Sequence, residues 1–176
     1  MKKTIVIAML AAGSALSMTH AFAAAGVINF TGKILDKACD VDVASQNQTI
    51  DLGSYNKSEF PTSGTRTAAK EVKIVLKNCP DTVNGAQVRF DGTPDLTNSS
   101  LLAIDSSVTG AASGVAINLM TADKADLPLH GSNGYSYPLS STADNTLNFY
   151  AQYVSTTSTV VAGPANSVAN FSVVYN

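Results

Sequence analysis

Apolar and polar residues alternate along five segments of the chain, and a period of two is typical of half-buried β-strands. Gly, Pro, Asn and Ser separate these segments, as expected for short strands joined by turns. The pattern therefore predicts an antiparallel, all-β arrangement. The five segments are EVKIVLK (71–77), QVRF (87–90), VAINLM (115–120), TLNFYAQYV (146–154) and ANFSVVYN (169–176).

Two further segments are weaker strand candidates: TIDLG (49–53) and SLLAI (100–104). With them the chain has seven or eight short strands and few helix signals. This number and spacing favour an antiparallel sandwich of the immunoglobulin-like kind. A closed barrel fits the same spacing and stays open as a second fold.

A period of two also occupies GVINFTGKIL (26–35), close to the start of the expected mature chain. A strand at a free N-terminus is often poorly ordered unless a neighbour holds it. At the other end, the alternating segment FSVVYN finishes one residue after Tyr175, so we expect no residues to supply a further strand. The N-terminal end therefore has a strand-like segment without an obvious place in the sandwich, and the C-terminal end lacks the strand that would complete it. The alternating N-terminal set is Ile28, Phe30, Gly32 and Ile34.

The first residues have the layout of a secretory signal peptide. Lys2 and Lys3 form a basic start, an apolar stretch follows at 4–16, and Ala21–Ala23 matches the A-x-A cleavage pattern. The apolar stretch is too short to span a bilayer, and no later segment is apolar enough, so we expect no membrane span. We predict cleavage after Ala23, a mature chain of one domain, and export from the cytoplasm.

The charge balance and the cysteine and histidine counts reduce the number of possible functions. Excluding the leader leaves nine basic residues against 13 acidic ones, a formal charge of −4 with no basic stripe, so we expect no nucleic-acid partner. Cys39 and Cys79 form an even pair in a secreted chain, which most simply means a disulfide. Two distant cysteines and one mature histidine do not make a zinc site, so no metal or cofactor is predicted.

Catalytic residues are not predicted either. His130 is the one histidine outside the leader, and its context LPLHGSNG is turn-like, without a nucleophile motif. Four aspartates lie in turn-rich contexts where Asp is favoured for local hydrogen bonds. Tyr135 and Tyr137 in GYSYP suit either loop packing or contact with a sugar. The four aspartates are Asp91, Asp95, Asp123 and Asp126.

Three segments together resemble the pilins of the chaperone–usher family, close in layout to type 1 and long polar fimbrial major subunits. VINFTGKILDKACDVD (27–42) is similar to the family's N-terminal extension, with Gly32 seven residues before Cys39. VLKNC (75–79) is similar to the strand that carries the second cysteine. The C-terminal segment resembles the family's ending, with Gly163 fourteenth from the end and a penultimate aromatic, Tyr175.

The resemblance implies an immunoglobulin-like sandwich that lacks its C-terminal strand. A periplasmic chaperone, and later a neighbouring subunit, would complete it with a donor strand, and an outer-membrane usher would export the fibre. The implied parts are a signal peptide at 1–23, a donor extension at 24–34 and a pilin domain at 35–176. The implied donor residues are Ile28, Phe30, Gly32 and Ile34, and the implied acceptor residues are Gly163, Phe171, Val173 and Tyr175.

The leading interpretation is a structural fimbrial subunit that binds copies of itself and related pilins in an adhesive surface pilus. A minor or adaptor subunit is the alternative within the family. A secreted carbohydrate-binding adhesin is an alternative from another class, although 153 mature residues leave no space for a separate lectin domain. An enzyme is the least favoured alternative, since no base accompanies a nucleophile.

Overall fold

The computed structural model describes residues 26–176, and the predicted signal peptide lies outside these residues. Residues Leu35–Asn176 form one compact unit. Within residues 26–176, helix is limited to α1 (Val43–Gln46) and a 3-10 turn at Lys57–Glu59. The strands of the described residues are β1 (Asp40–Val41), β2 (Lys70–Lys77), β3 (Gly85–Gly92), β4 (Leu102–Ala103), β5 (Val115–Met120), β6 (Asp126–Leu127), β7 (Tyr137–Pro138), β8 (Asn145–Ser155) and β9 (Ala169–Tyr175).

The strands form two separate antiparallel sheets. The larger sheet has the order β1-β2-β8-β5-β4, with β6 pairing with β5. The smaller sheet has the order β7-β3-β9. Two sheets rather than one continuous ring make this a sandwich, so the barrel alternative is wrong for the described chain.

The core lies between the inner faces of the two sheets. Phe90 of β3 and Phe149 of β8 meet with ring centroids 5.3 Å apart in a T-shaped contact, which is a favoured geometry for aromatic pairs. Ile74 and Leu76 of β2 alternate with the exposed Lys73, so the period of two read from the sequence is the burial pattern of the strand. Alternation therefore located the core of the larger sheet.

The predicted disulfide between Cys39 and Cys79 is present. It links the residue before β1 to the turn after β2, where Asp40 pairs with Lys77 across the two strands. Closing a loop with a sequence separation of 40 residues stabilises the fold by about 4 kcal/mol in the chain-entropy model. The bridge thus joins β1 to the end of β2 near the N-terminal end of the compact unit Leu35–Asn176.

Two predicted strands are absent from the single chain. Residues 26–35 and TIDLG (49–53) have no regular secondary structure. A strand needs a hydrogen-bonded neighbour, and within the described chain no backbone–backbone bond reaches residues 49–53. Ile50 and Leu52 nevertheless pack against the core, so the alternation there reflects burial of one face without pairing. SLLAI (100–104) contains only the two-residue strand β4.

A polar cluster links the loop before β2 to strands β5 and β6 of the larger sheet. Arg66 donates two hydrogen bonds to the Asp126 carboxylate, at 2.8 and 2.7 Å. Asn118, only 2% exposed, donates a third at 2.8 Å. The Arg66 hydrogen bonds hold the pKa of Asp126 below its ordinary value of 3.8. Asp126 is therefore an ion-pair partner rather than a turn former.

Replacing this carboxylate should change how the fold responds to acid. A depressed folded-state pKa adds stability above the unfolded pKa of about 4, and that stability disappears as the pH falls through the folded pKa. We expect Asp126→Asn to cost under about 1 kcal/mol at pH 7, because the pair is half exposed, and almost nothing near pH 2. Urea midpoints at both pH values measure this. An equal deficit at pH 7 and pH 2 would contradict the ion-pair explanation.

Candidate functional site

β9 is an edge strand that pairs only with β3 among the strands of residues 26–176. Its Phe171, Val173 and Tyr175 face the core, yet each is only half-buried. Phe90 lies opposite Phe171 in the register and packs on it, with ring centroids 6.4 Å apart. Within residues 26–176, the free edge of β9 therefore presents unpaired backbone groups beside side chains whose burial is incomplete.

An open groove of about 840 Å³ lies where the chain leads into β9. Residues 48–57 supply lining residues on one side, here called the first wall, and residues 160–168 supply the second wall. Val115 and Ile117 of β5 and Tyr153 of β8 belong to the core and line the groove as its floor. The groove thus reaches down to side chains of the sandwich core.

The second wall depends on close packing at Gly163. A Cβ at this position would lie 2.8 Å from the Ala111 carbonyl carbon and 2.8 Å from the Ala112 nitrogen, distances that real Cβ atoms essentially never show. Backbone hydrogen bonds on both sides hold the wall there: Ala112 donates to Pro164 at 2.9 Å, and Val161 donates to Ser113 at 3.0 Å. Gly163 therefore lines the groove and permits the close approach that positions its wall.

Two tyrosine hydroxyls tie groove elements to the rest of the fold. Tyr175 donates to the Cys39 carbonyl at 3.3 Å, next to the disulfide. Tyr153 donates to the Ala165 carbonyl at 2.8 Å. Burial raises the pKa of both phenols, which keeps the hydroxyls protonated and able to donate at neutral pH. Tyr175, the penultimate aromatic noted in the sequence, thus packs against the core through its ring and donates a hydrogen bond through its hydroxyl.

The predicted donor residues are strongly exposed in the single chain. Ile28, Phe30 and Ile34 are 77%, 92% and 95% exposed, respectively. A Cβ at Gly32 would meet nothing within 4 Å, so the single chain has no steric need for glycine there. The single chain therefore leaves three large apolar side chains of this segment in water.

The other sequence candidates have structural explanations. His130 is exposed, has a positive φ of 59° and lies 2.9 Å from Asp91, which also pairs with Arg89. The His130 hydrogen bond is the main reason that the pKa of Asp91 is lowered. Asp95 and Asp123 accept hydrogen bonds from backbone amides two residues later, as predicted for turn formers.

Tyr137 is buried in the core, and Tyr135 packs on it with ring centroids 4.7 Å apart. This geometry supports the packing interpretation of both tyrosines. Over residues 26–176, no cluster of three or more His, Cys, Asp or Glu side chains could hold a metal ion. In the same range, no helix combines the length and apolar character of a membrane span.

Sequence reasoning missed the first wall and the floor residue Tyr153. The wall has no strand ladder, and Tyr153 lies on a strand whose inward face looked like ordinary core. The one sequence signal for the first wall was the alternation of Ile50 and Leu52, which marks a segment with one buried face.

Together, β9, the two walls and the floor define an immunoglobulin-like sandwich with one strand position open along its edge.

Comparisons with known proteins agree with that class. The family model described as fimbrial protein matches residues 28–176. The chain is 37% identical to the probable major fimbrial subunit LpfA of Escherichia coli O157:H7, over 98% of this chain and 97% of the relative. It is 34% identical to the S-fimbrial protein subunit SfaG of Escherichia coli O6:K15:H31, over 96% and 94%. The chain therefore belongs to the fimbrial protein family, which confirms the resemblance found in the sequence.

Solved structures support the fold. The Burkholderia pseudomallei antigen and type I fimbria protein is 33% identical with a TM-score of 0.60, covering 80% of this chain and 91% of that chain. The P pilus rod subunit PapA has a TM-score of 0.67 at 24% identity, covering 80% of this chain and all of that chain. The incomplete immunoglobulin-like sandwich is thus the fold of this chain.

Proposed function

We propose that the protein is a structural subunit of a fimbria and polymerises by donor-strand exchange. In this exchange, residues 24–34 of one copy bind along β9 in the groove of the next copy. The observation that carries the proposal is the free edge of β9, together with an open groove that has core side chains as its floor and is lined by residues 160–168, the segment leading into β9. Adding a strand to an exposed sheet edge is an established recognition mode, and the handing of a strand from chaperone to pilin is one example of it.

Two features of the chain make the segment and the groove complementary. The groove offers an apolar floor and an edge strand, and the segment offers alternating apolar residues with a period of two. Burying Ile28, Phe30 and Ile34 would contribute about 1.5–3 kcal/mol each. Together that is comparable to the whole stability of a typical domain, about 5–15 kcal/mol. A bound strand would therefore add a large part of the final stability.

The same geometry accounts for a filament rather than a closed pair. Donor and acceptor are different surfaces of one chain, so the contact is heterologous and need not close. The other proposed components follow from the family: a signal peptide at 1–23, a donor extension at 24–34, a pilin domain at 35–176, a periplasmic chaperone that covers the groove first, and an outer-membrane usher. The proposed final location is the extracellular fimbrium.

Immunogold electron microscopy tests the proposal. Cells that express the complete operon should show label along the full length of each fibre. Label at the fibre tip alone would instead identify a minor subunit, and unlabelled fibres would contradict the structural role.

Gly32 provides a second test within the segment. We expect Gly32→Val to leave the melting temperature of the unpolymerised chain unchanged, because a Cβ there meets nothing in the single chain. If Gly32 faces a shallow part of the neighbour's groove, the same substitution should slow polymerisation about tenfold, the effect of roughly 1.4 kcal/mol of crowding. Polymerisation is followed by light scattering, with Thr31→Val as the control on the opposite face. Equal rates for both variants would contradict this placement of Gly32.

A further inference from the structure

Tyr153 contacts both walls of the groove from its floor. Its hydroxyl donates to the Ala165 carbonyl in the second wall at 2.8 Å. Its ring lies edge-on to the ring of Tyr55 in the first wall, with centroids 6.2 Å apart and planes at 81°. A single side chain thus spans the space between the two walls.

The backbone of Tyr153 is itself held firmly. It pairs with Ile117 in the sheet, and its N–H and carbonyl bond to Thr67 at 3.1 and 3.0 Å. The second wall is held by backbone hydrogen bonds to neighbouring loops: Val161 pairs with Ser113, Ala112 donates to Pro164 at 2.9 Å, and Asp105 donates to Asn166 at 2.8 Å. The first wall has no backbone–backbone bond over residues 49–53. Tyr153, fixed in a strand ladder, therefore lies between a second wall held by loop hydrogen bonds and a first wall that lacks backbone–backbone bonds over residues 49–53 of the described chain.

We infer that Tyr153 is a positioning residue for donor-strand binding, and that its ring and hydroxyl hold the two walls at the separation a β-strand needs. This inference rests on the proposed function. A groove held at its working width loses less conformational entropy when a strand enters than a groove whose walls move. The benefit should appear mainly as slower dissociation of the bound strand.

Tyr153→Phe isolates the hydroxyl, because the ring that contacts Tyr55 remains. We expect a bound donor peptide to dissociate about fivefold faster, which corresponds to the loss of one net hydrogen bond. Tyr137→Phe is the matched control. Tyr137 is also buried, and its hydroxyl bonds to the Asn148 carbonyl at 2.6 Å and to the Ala122 amide at 3.2 Å, away from the groove lining. Both variants lose a buried hydroxyl, and only one of them changes the groove.

The experiment uses the oxidised chain of residues 24–176 purified from the periplasm, with a fluorescein-labelled peptide of residues 24–36 as the probe. Dissociation is followed by anisotropy after an excess of unlabelled peptide is added, and melting temperatures are measured in parallel. The inference predicts faster dissociation for Tyr153→Phe and unchanged dissociation for Tyr137→Phe. Equal dissociation rates in Tyr153→Phe and wild type, or equal acceleration in both variants, would overturn it.

Failure of the inference and failure of the proposed function give different results. If the peptide does not bind the wild-type chain, the proposed function is wrong. If it binds, and only the comparison of variants fails, the role of Tyr153 is wrong. Should Tyr153→Phe not fold, Tyr55→Leu decides the question, because it removes the contact with the first wall while keeping an apolar side chain. Faster dissociation in Tyr55→Leu supports the inference, and an unchanged rate overturns it.

Discussion

A chain with Ile28→Asp and Phe30→Asp is expected to fold, to accept a donor strand and to form no fibres. Both residues lie outside the compact unit Leu35–Asn176 and are strongly exposed, so the change should not alter its melting temperature. In the proposed complex, however, each carboxylate would enter an apolar groove. Burying an unpaired charge costs several kcal/mol, in addition to the lost burial of about 1.5–3 kcal/mol per side chain. Fibre assembly is measured by electron microscopy and sedimentation.

The matched control is Asn29→Asp with Thr31→Asp, which adds the same charge on the alternate positions of the segment. In a strand these side chains point away from the groove, so fibres should still form. Fibres of normal length from the Ile28/Phe30 variant would contradict the donor assignment. Loss of fibres in both variants would instead mean that charge alone prevents assembly.

The strands could be predicted from the sequence wherever apolar and polar residues alternate and the segment also pairs with a neighbouring strand. β2, β5, β8 and β9 match their predicted segments within about two residues at each end, since each buries one face and has a ladder partner. The two-residue strands β1, β6 and β7 were missed because so short a segment has no detectable period. The strand predicted at TIDLG (49–53) was wrong for the opposite reason. Its apolar residues do alternate, but no strand of the described chain forms hydrogen bonds with it.

The site could be predicted only in part. The C-terminal residues Phe171, Val173 and Tyr175 were found because alternation and the family pattern agree on them, and their acceptor role stays a prediction. The second wall, by contrast, depends on the approach of two loops that are about 50 residues apart in sequence, which no local pattern reveals. The role of Tyr153 was not visible either, since an inward aromatic on a central strand resembles any core residue.

Gly163→Val is expected to prevent the groove from accepting a donor strand. The new side chain would overlap the backbone of Ala111 and Ala112, so the second wall would have to move away from the floor. Overpacking of this kind typically costs about 1–3 kcal/mol, and here the displaced segment leads directly into β9. We expect a lower melting temperature and at least a tenfold loss of affinity for a peptide of residues 24–36. Ala162→Val is the control within the same wall, because Ala162 is exposed and already carries a Cβ, so the change enlarges a wall side chain without the backbone overlap expected at Gly163.

A mixing experiment separates a lost acceptor from a generally damaged fold. The Gly163→Val chain keeps an intact donor segment, and the Ile28→Asp, Phe30→Asp chain keeps an intact groove. Each variant alone should stay monomeric, while an equimolar mixture should give pairs and nothing longer, because each pair ends in one disabled donor and one disabled acceptor. Light scattering during size-exclusion chromatography distinguishes these species. Long fibres from the mixture, or affinity loss in Ala162→Val equal to that in Gly163→Val, would show that Gly163 does not position the groove wall.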